Sequence, residues 1–515
     1  MSQVTTGDFG VGSWVERRAR ITPDRPALIS GVRSVSYAEL AERIRRLANG
    51  LRRLGVTRGD RVAWLGPNHA AFLESLFAVG QLGAVLAPVN HRFGPDQRAS
   101  VLAQTEPIVL IQHNIVELAA TVSVQHRITV GGTPERSIDY ETLVAESPGH
   151  PIGGSVALDD LFLLPHTSGT IGVPKAVMLT HGNVTWNAVN FITAADFRAD
   201  DVTIAIAPFF RMGGIGVNVL PVLFIGGAVV VPDDATPDGI LRLMERHRVT
   251  VGFGNPDLLD ALAHADQWPS VDLSSVRFVI TGGAPVPERL IRTYLDRGVV
   301  LLQGYGLSEA APLALLLDAD QALRKVGSAG KPPPFVDVRI VDASGDDVAP
   351  GHTGELLVRG PNVMAGYWRR PAETSEKLIE GGWLRTGDAA RMDDGGYVWI
   401  VDRVEARFVT RGEVVYPGDV ERALLTHPSV ADAGVVGVTA PRGDKVGAAF
   451  VVLSLGAAAT EDELLAYCRG RLAAHQIPTS ISFVDALPRS AVGKLLRDEL
   501  LRLASQGPIQ EDWPG

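Results

Sequence analysis

With 515 residues, of which 46% are hydrophobic and 21% charged, the chain has the balance of a folded globular enzyme and not of a disordered segment. Its length sets a prior of about three domains. The net charge of −10, from 58 acidic against 48 basic side chains, disfavours nucleic acid as a partner. The lone cysteine, Cys468, excludes an internal disulfide and a thiolate zinc cluster. A half-buried packing role fits it better than a catalytic one, and the composition fits a reducing, cytoplasmic setting. The N-terminal stretch MSQVTTGDFGVGSW has no basic region followed by an apolar run, so no signal peptide is expected.

In chain order, Leu40, Ile44, Leu47, Leu51 and Leu54 recur at helical spacing and predict an amphipathic helix. Residues 60–65 predict a strand, 72–82 a helix and 84–89 a strand. This alternation argues for an α/β fold with largely parallel, doubly wound sheets. Residues 212–232 carry no charge, which approaches the length of a membrane span. Their glycines and prolines favour a core helix followed by a core strand, and no membrane span is expected. Residues 276–281 and 299–303 predict strands that end at Gly282-Gly283 and Gly304-Tyr305-Gly306, where open α/β sheets bind ligands. From about residue 335 the segments VDVRIVD, GELLVRG and GYVWIVD read as a β meander. Residues after 403 read as a small α+β module. The expected organisation is a large domain over residues 1–402, with a β subdomain at about 335–402, and a mobile domain over 403–515.

Residues 166–181, HTSGTIGVPKAVMLTH, join two short apolar strands through a loop of glycines and hydroxyl residues with one lysine. Glycines let backbone amides turn toward an anion, hydroxyls add donors, and the lysine adds a mobile positive charge. The loop lacks the Walker spacing. The ordered run resembles the phosphate loop of the adenylate-forming superfamily: acyl-CoA synthetases, stand-alone adenylation domains and luciferases. It departs from that pattern at Ile171 and Ala176. Ile171 replaces a threonine, and one lost donor costs about 1 kcal/mol.

Further segments carry the same resemblance along nearly the whole chain. GYGLSE at 304–309 resembles the motif whose aromatic ring stacks on adenine and whose glutamate holds Mg²⁺. WLRTGD at 383–388 resembles the motif whose aspartate takes the ribose hydroxyls. Asp402-Arg403 resembles the segment that closes the large domain, and LPRSAVGK at 487–494 resembles the catalytic-lysine loop. The resemblance thus implies a catalytic set of Lys494, Glu309 and Lys175. It implies nucleotide contacts from Thr167, Ser168, Gly169, Thr170, Gly172 and Lys175 in the loop. Others would come from Gly283, Ala284, Pro285, Gly304, Tyr305, Gly306 and Ser308, and from Asp388, Ile400, Arg403 and Lys494. Mg²⁺ would be held by Glu309 and Thr170, and Glu405 would be the hinge.

The implied acyl pocket comprises Phe209, Phe210, Arg211, Met212, Gly213, Gly214, Val217, Phe253, Asn255 and Leu307. Arg211 stands where the family often has histidine; it would either pair with a substrate carboxylate or fold back onto an acidic neighbour. Arg411 and Val414 are unusual in the loop that meets the thiol. The implied reaction is ATP-dependent formation of an acyl-AMP and pyrophosphate, then transfer to CoA, with ATP, Mg²⁺ and CoA as cofactors and co-substrates. Glycines beside phenylalanines suggest a medium-chain fatty acid, with an aryl acid second. An acyl carrier protein as acceptor, a luciferase-like oxygenase and a non-catalytic nucleotide-binding regulator are the alternatives. The chain is expected to be a monomer or homodimer.

Overall fold

The computed structural model describes residues 8–116, 122–132, 137–167, 174–284, 286–410, 413–440, 445–489 and 495–504. It divides into two compact units. One is Met1–Val338 with Val358–Arg385; the other is Arg339–Leu357 with Thr386–Gly515.

The first unit is built on two eight-stranded sheets. One runs in the order Leu313–Leu316, Val300–Gly306, Phe278–Gly282, Val251–Gly254, Val202–Ile204, Ala228–Val230, Pro26–Ser30, Arg33–Ser36. Its interior pairings are parallel, and its two edge pairings are antiparallel. The other runs Gly366–Tyr367, Val177–Thr180, Leu161–Leu163, Val85–Val89, Arg61–Leu65, Val109–His113, His126–Val130, Ile138–Asp139. It is parallel from Leu161–Leu163 onward and antiparallel at the end that carries the phosphate-loop strands. Val85–Val89 is buried at every position, as a strand covered on both faces requires, hence its unbroken apolar sequence.

The predicted amphipathic helix spans Tyr37–Arg53 and starts at a capping box formed by Ser36 and Glu39. Leu40, Ile44, Leu47 and Leu51 are fully buried. On another side of the helix Arg43 pairs at 2.6 Å with Glu74, a nearly buried carboxylate that also accepts the Tyr140 hydroxyl at 2.7 Å. The uncharged stretch forms two short helices, Met212–Gly216 and Val219–Ile225, before the strand Ala228–Val230. The helices part at Asn218, whose side-chain amide donates to Thr203 Oγ1 at 2.6 Å and to the Ile204 carbonyl. Gly227 is required there, because a Cβ would lie 2.4 Å from the Asp201 carbonyl oxygen. Among the described residues no helix is long and apolar enough to cross a membrane.

In the second unit, residues 388–392 pair antiparallel with Val398–Arg403. They belong to a ten-residue strand, Trp383–Met392, that the three-strand meander reading lacks. The C-terminal part of the unit holds a long antiparallel pair, Val430–Thr439 with Lys445–Leu453, and the parallel strand Ser480–Phe483. Helices Pro417–Leu425, Glu461–Arg469 and Arg497–Ala504 accompany them. Cys468 is fully buried, and burial pushes its thiol up to about 11, so it is a packing residue. Arg497 ties this unit together. It meets Glu421 at 2.6 Å, the Val435 carbonyl at 2.6 Å and Asp402 at 3.0 Å, and Asp402 in turn accepts the Gly418 amide.

Candidate active site

The strands Leu161–Leu163 and Val177–Thr180 hold the phosphate-loop motif as an antiparallel pair. Its neck is closed by His166 bridged to Ala176 and by the Thr167 amide donating to the Lys175 carbonyl at 2.9 Å. Ser168, Gly169, Thr170, Ile171 and Gly172 lie outside the described residues, as do Pro285, Arg411 and Lys494.

His181 ends the motif and begins the helix His181–Ala195. It is fully buried, accepts the Val11 amide on Nδ1 at 3.0 Å and stacks on Phe162 at 4.4 Å. Burial lowers its pKa to about 3 and that of His166 to about 4. An unfolded histidine titrates near 6.5. Both groups are therefore neutral in the fold. Their stabilisation is complete above about pH 6.5 and is lost as pH falls toward the folded values, at about 1.4 kcal/mol per unit for each histidine. Melting temperature should fall on going from pH 6.5 to pH 5. The fall should be shallower in His181→Asn, whose amide oxygen can still accept the Val11 N–H; equal slopes would remove His181 from the account.

The phosphate-loop lysine and the predicted metal glutamate come together through a residue that sequence reading missed. Gly366–Tyr367 pairs antiparallel with Met178 and Val177. The Tyr367 hydroxyl donates to Glu309 Oε1 at 2.7 Å, and Lys175 Nζ lies 5.1 Å from the centre of the same ring. Glu309 sits in the short 3₁₀ turn Ser308–Ala310, which is fixed from several sides. Met364 N–H donates to the Glu309 carbonyl at 2.8 Å, and Asn362 donates to the Ala310 and Leu313 carbonyls. Asn183 holds the same segment through the Pro361 and Val363 carbonyls. A single carboxylate suits Mg²⁺, which takes one or two protein carboxylates and completes its shell with phosphate oxygens and water. Among the described residues no cluster of three or more metal-ligating side chains competes with it.

Gly282 and Gly304 are register partners on adjacent parallel strands, and a Cβ on Gly282 would lie 2.5 Å from the Gly304 carbonyl oxygen. Gly283 has φ +85°, and it and Ala284 are exposed beside the half-buried Tyr305, Leu307 and Ser308. The strand ends thus leave the backbone at Gly283 and Ala284 open to solvent.

The expected acyl residues divide. Phe209 is buried and stacks on Phe72 at 5.0 Å, and its amide donates to Asn68 Oδ1. Met212 and Val217 are also core residues. Gly214 is demanded by a tight turn, since a Cβ would lie 2.0 Å from the Pro208 carbonyl oxygen. Gly213 faces Phe253, whose ring would be 3.3 Å from an added Cβ. Asn255 caps the helix Pro256–Ala263 by accepting the Leu258 amide. Phe210 packs its ring against His91 at 5.5 Å. Arg211 is half-buried, 5.9 Å from the Phe210 ring centre. Burial and then the neighbouring charge of Arg92 lower its pKa. No acidic neighbour receives it among the described residues, so the fold-back alternative finds no partner there.

In the second unit Asp388 and Arg403 are register partners and form an ion pair at 2.8 Å. The Asp388 amide donates to Thr386 Oγ1, and Arg403 also reaches the Thr386 carbonyl. Ile400 pairs with Ala390 on the same strands. Glu405 is exposed in the 3₁₀ turn Val404–Ala406.

Comparison with known proteins finds relatives along both parts of the chain. The AMP-binding enzyme family pattern covers residues 15–368, and the AMP-binding enzyme C-terminal domain covers residues 419–494. A feruloyl-CoA synthase from Amycolatopsis sp. is 45% identical over 96% of this chain and 99% of its own length. An indoleacetate–CoA ligase from Aromatoleum aromaticum is 36% identical over 97% of this chain and 99% of its own. The solved O-succinylbenzoate coenzyme A synthetase of Bacillus subtilis, in complex with ATP and magnesium ion, superposes with a TM-score of 0.81. It is 30% identical, and the match covers 95% of this chain and 99% of that one. The chain belongs to the AMP-binding enzyme family of the adenylate-forming superfamily, near the aryl-acid CoA ligases.

Proposed function

We propose that the chain activates an aryl acid and transfers it to CoA, as an AMP-forming acid–thiol ligase that uses ATP, Mg²⁺ and CoA. The observation that carries this reading is the end-to-end match to a feruloyl-CoA synthase at 45% identity, across both parts of the chain. It favours an aryl acid over the fatty acid expected from glycines beside phenylalanines. Gly214 and Gly213 answer local packing at Pro208 and Phe253, respectively.

In the proposed reaction a carboxylate oxygen of the acid attacks the α-phosphorus of ATP. The bond to the bridging oxygen breaks, and pyrophosphate leaves. The CoA sulfur then attacks the acyl carbon of the mixed anhydride, and AMP leaves. Mg²⁺, when bound, neutralises phosphate charge. Glu309 is suited to hold it, having a carboxylate fixed at one oxygen. Lys175, which makes no ion pair among the described residues, supplies a positive charge at the mouth of the phosphate loop. Asp388 and Arg403 form a carboxylate–guanidinium pair able to take a diol and a phosphate oxygen. Lys494 and the hinge at Glu405 belong to the same proposal.

Arg211 is assigned to an electron-rich oxygen on the acid. A half-buried guanidinium without an acidic partner among the described residues favours such a group, because hydrogen bonds to a charged donor contribute about 1.5–3 kcal/mol. The test is ATP–pyrophosphate exchange over hydroxycinnamates, unsubstituted cinnamate, indoleacetate, medium-chain fatty acids and amino acids, followed by product mass with CoA or a carrier protein. Exchange should be fastest with aryl acids. Arg211→Met should narrow the preference for hydroxylated over unsubstituted cinnamate by about tenfold or more. Faster exchange with a fatty acid overturns the aryl reading, and an unchanged ratio in the variant removes Arg211 from recognition.

A further inference from the structure

We infer that Tyr367 is a positioning residue for Glu309, holding its carboxylate on the metal-facing side of the site while its ring keeps Lys175 from collapsing onto that carboxylate. The inference rests on the reading of Glu309 as the Mg²⁺ ligand. Tyr367 is nearly buried, and its place is fixed by backbone as well as side chain. Its residue pair, Gly366–Tyr367, is hydrogen-bonded to the strand that leaves the phosphate loop, and its amide donates to Thr374 Oγ1 at 2.9 Å.

The ring therefore moves with the phosphate-loop frame, while its hydroxyl reaches a glutamate 58 residues earlier in the chain. The hydroxyl donates at 2.7 Å to Oε1 of the carboxylate. Oε2 has no hydrogen-bond partner among the described residues. A donor of this kind orients a ligating carboxylate and sets which oxygen is free, and loss of such an outer partner costs about 10–100-fold in metal affinity.

The second half of the inference concerns charge. A lysine and a glutamate on the same side of a site would neutralise each other if they met. Here each meets a different part of one aromatic side chain: Lys175 lies over its ring face and Glu309 at its hydroxyl. The cation is satisfied by the ring face, which attracts it weakly enough to be surrendered to a phosphate. Both charges are thus present and neither is spent on the other.

The test is Tyr367→Phe, which keeps the ring and removes the donor. Mg²⁺-dependent ATP binding is followed by titration calorimetry without acid, beside KM values for ATP and for the acid. The apparent Mg²⁺ dissociation constant should rise about tenfold, with a higher KM for ATP and an unchanged KM for the acid. In a Glu309→Gln background the same substitution should add nothing. Tyr367→Leu, which removes the ring as well, should raise the KM for ATP further. A Tyr367→Phe protein whose Mg²⁺ titration matches wild type overturns the inference, as does a full additional effect in the Glu309→Gln background. If Glu309→Gln itself leaves the Mg²⁺ titration unchanged, the metal reading of Glu309 fails instead.

Discussion

Glu309→Gln lowers ATP–pyrophosphate exchange by about two to three orders of magnitude while leaving the melting temperature nearly unchanged. The size follows from charge. Removing one unit of negative charge about 4 Å from a cation, at an effective dielectric of about 20, forfeits about 4 kcal/mol, and each 1.4 kcal/mol is tenfold in rate. Partial solvent access trims the upper end. Stability is spared because the turn Ser308–Ala310 is held by main-chain groups. The Glu309 carbonyl accepts the Met364 amide, and the Ala310 carbonyl accepts Asn362. The glutamine oxygen can also still accept the Tyr367 hydroxyl. Glu309→Asp keeps the charge but withdraws it, so its exchange rate should lie between the two. Exchange at the wild-type rate in Glu309→Gln excludes the metal role.

How far the site was legible depends on what kind of signal each part carries. The helix Tyr37–Arg53 and the strands Arg61–Leu65 and Val85–Val89 follow directly from apolar periodicity, because their burial is set by one element facing one core. The phosphate-loop frame was legible for a different reason: a tight anion loop between two strands needs glycines, hydroxyls and a lysine in close sequence. Tyr367 left no such trace. It sits in a two-residue strand, too short for any period, and its partner is 58 residues away. Asn183 and Asn362 were invisible likewise, since a buried asparagine that ties two separate carbonyls together looks like any polar residue until the chain is folded.

Asn255 is the opposite case. Asparagine followed by proline and aspartate is a helix start, and the helix Pro256–Ala263 begins there, so the cap could have been read before the pocket was. The strand Trp383–Met392 is masked in the sequence because its first half also carries a ligand motif. It is both a motif and a strand: pairing with Val398–Arg403 is what sets Asp388 against Arg403.

Lys494→Ala should lower acyl-adenylate formation by about 10²–10³ while sparing thioester formation from preformed acyl-AMP and leaving ATP binding largely intact. The argument is that the two half-reactions differ in where charge develops. In adenylation the α-phosphorus gains an oxygen before it loses one, and a single fixed ammonium aimed at that excess negative charge contributes about as much as one oxyanion-hole donor. In thioester formation the charge develops on the acyl oxygen, and the same ammonium is not required. Lys494 itself lies outside the described residues, and the residues that flank its segment on both sides are tied to one another. Arg489 bridges to Leu495, the Leu496 amide donates to the Pro488 carbonyl at 2.9 Å, and Arg489 pairs with Asp432 at 2.8 Å. Leu487 and Leu500 on either side are buried. Loss of the lysine amine therefore leaves the loop's frame in place, and the effect should be confined to the chemistry. Pyrophosphate exchange and CoA-dependent consumption of synthetic acyl-AMP, measured on the same preparation, separate the steps. Exchange that survives, or two half-reactions that fall together, would show that Lys494 does not act on adenylation alone.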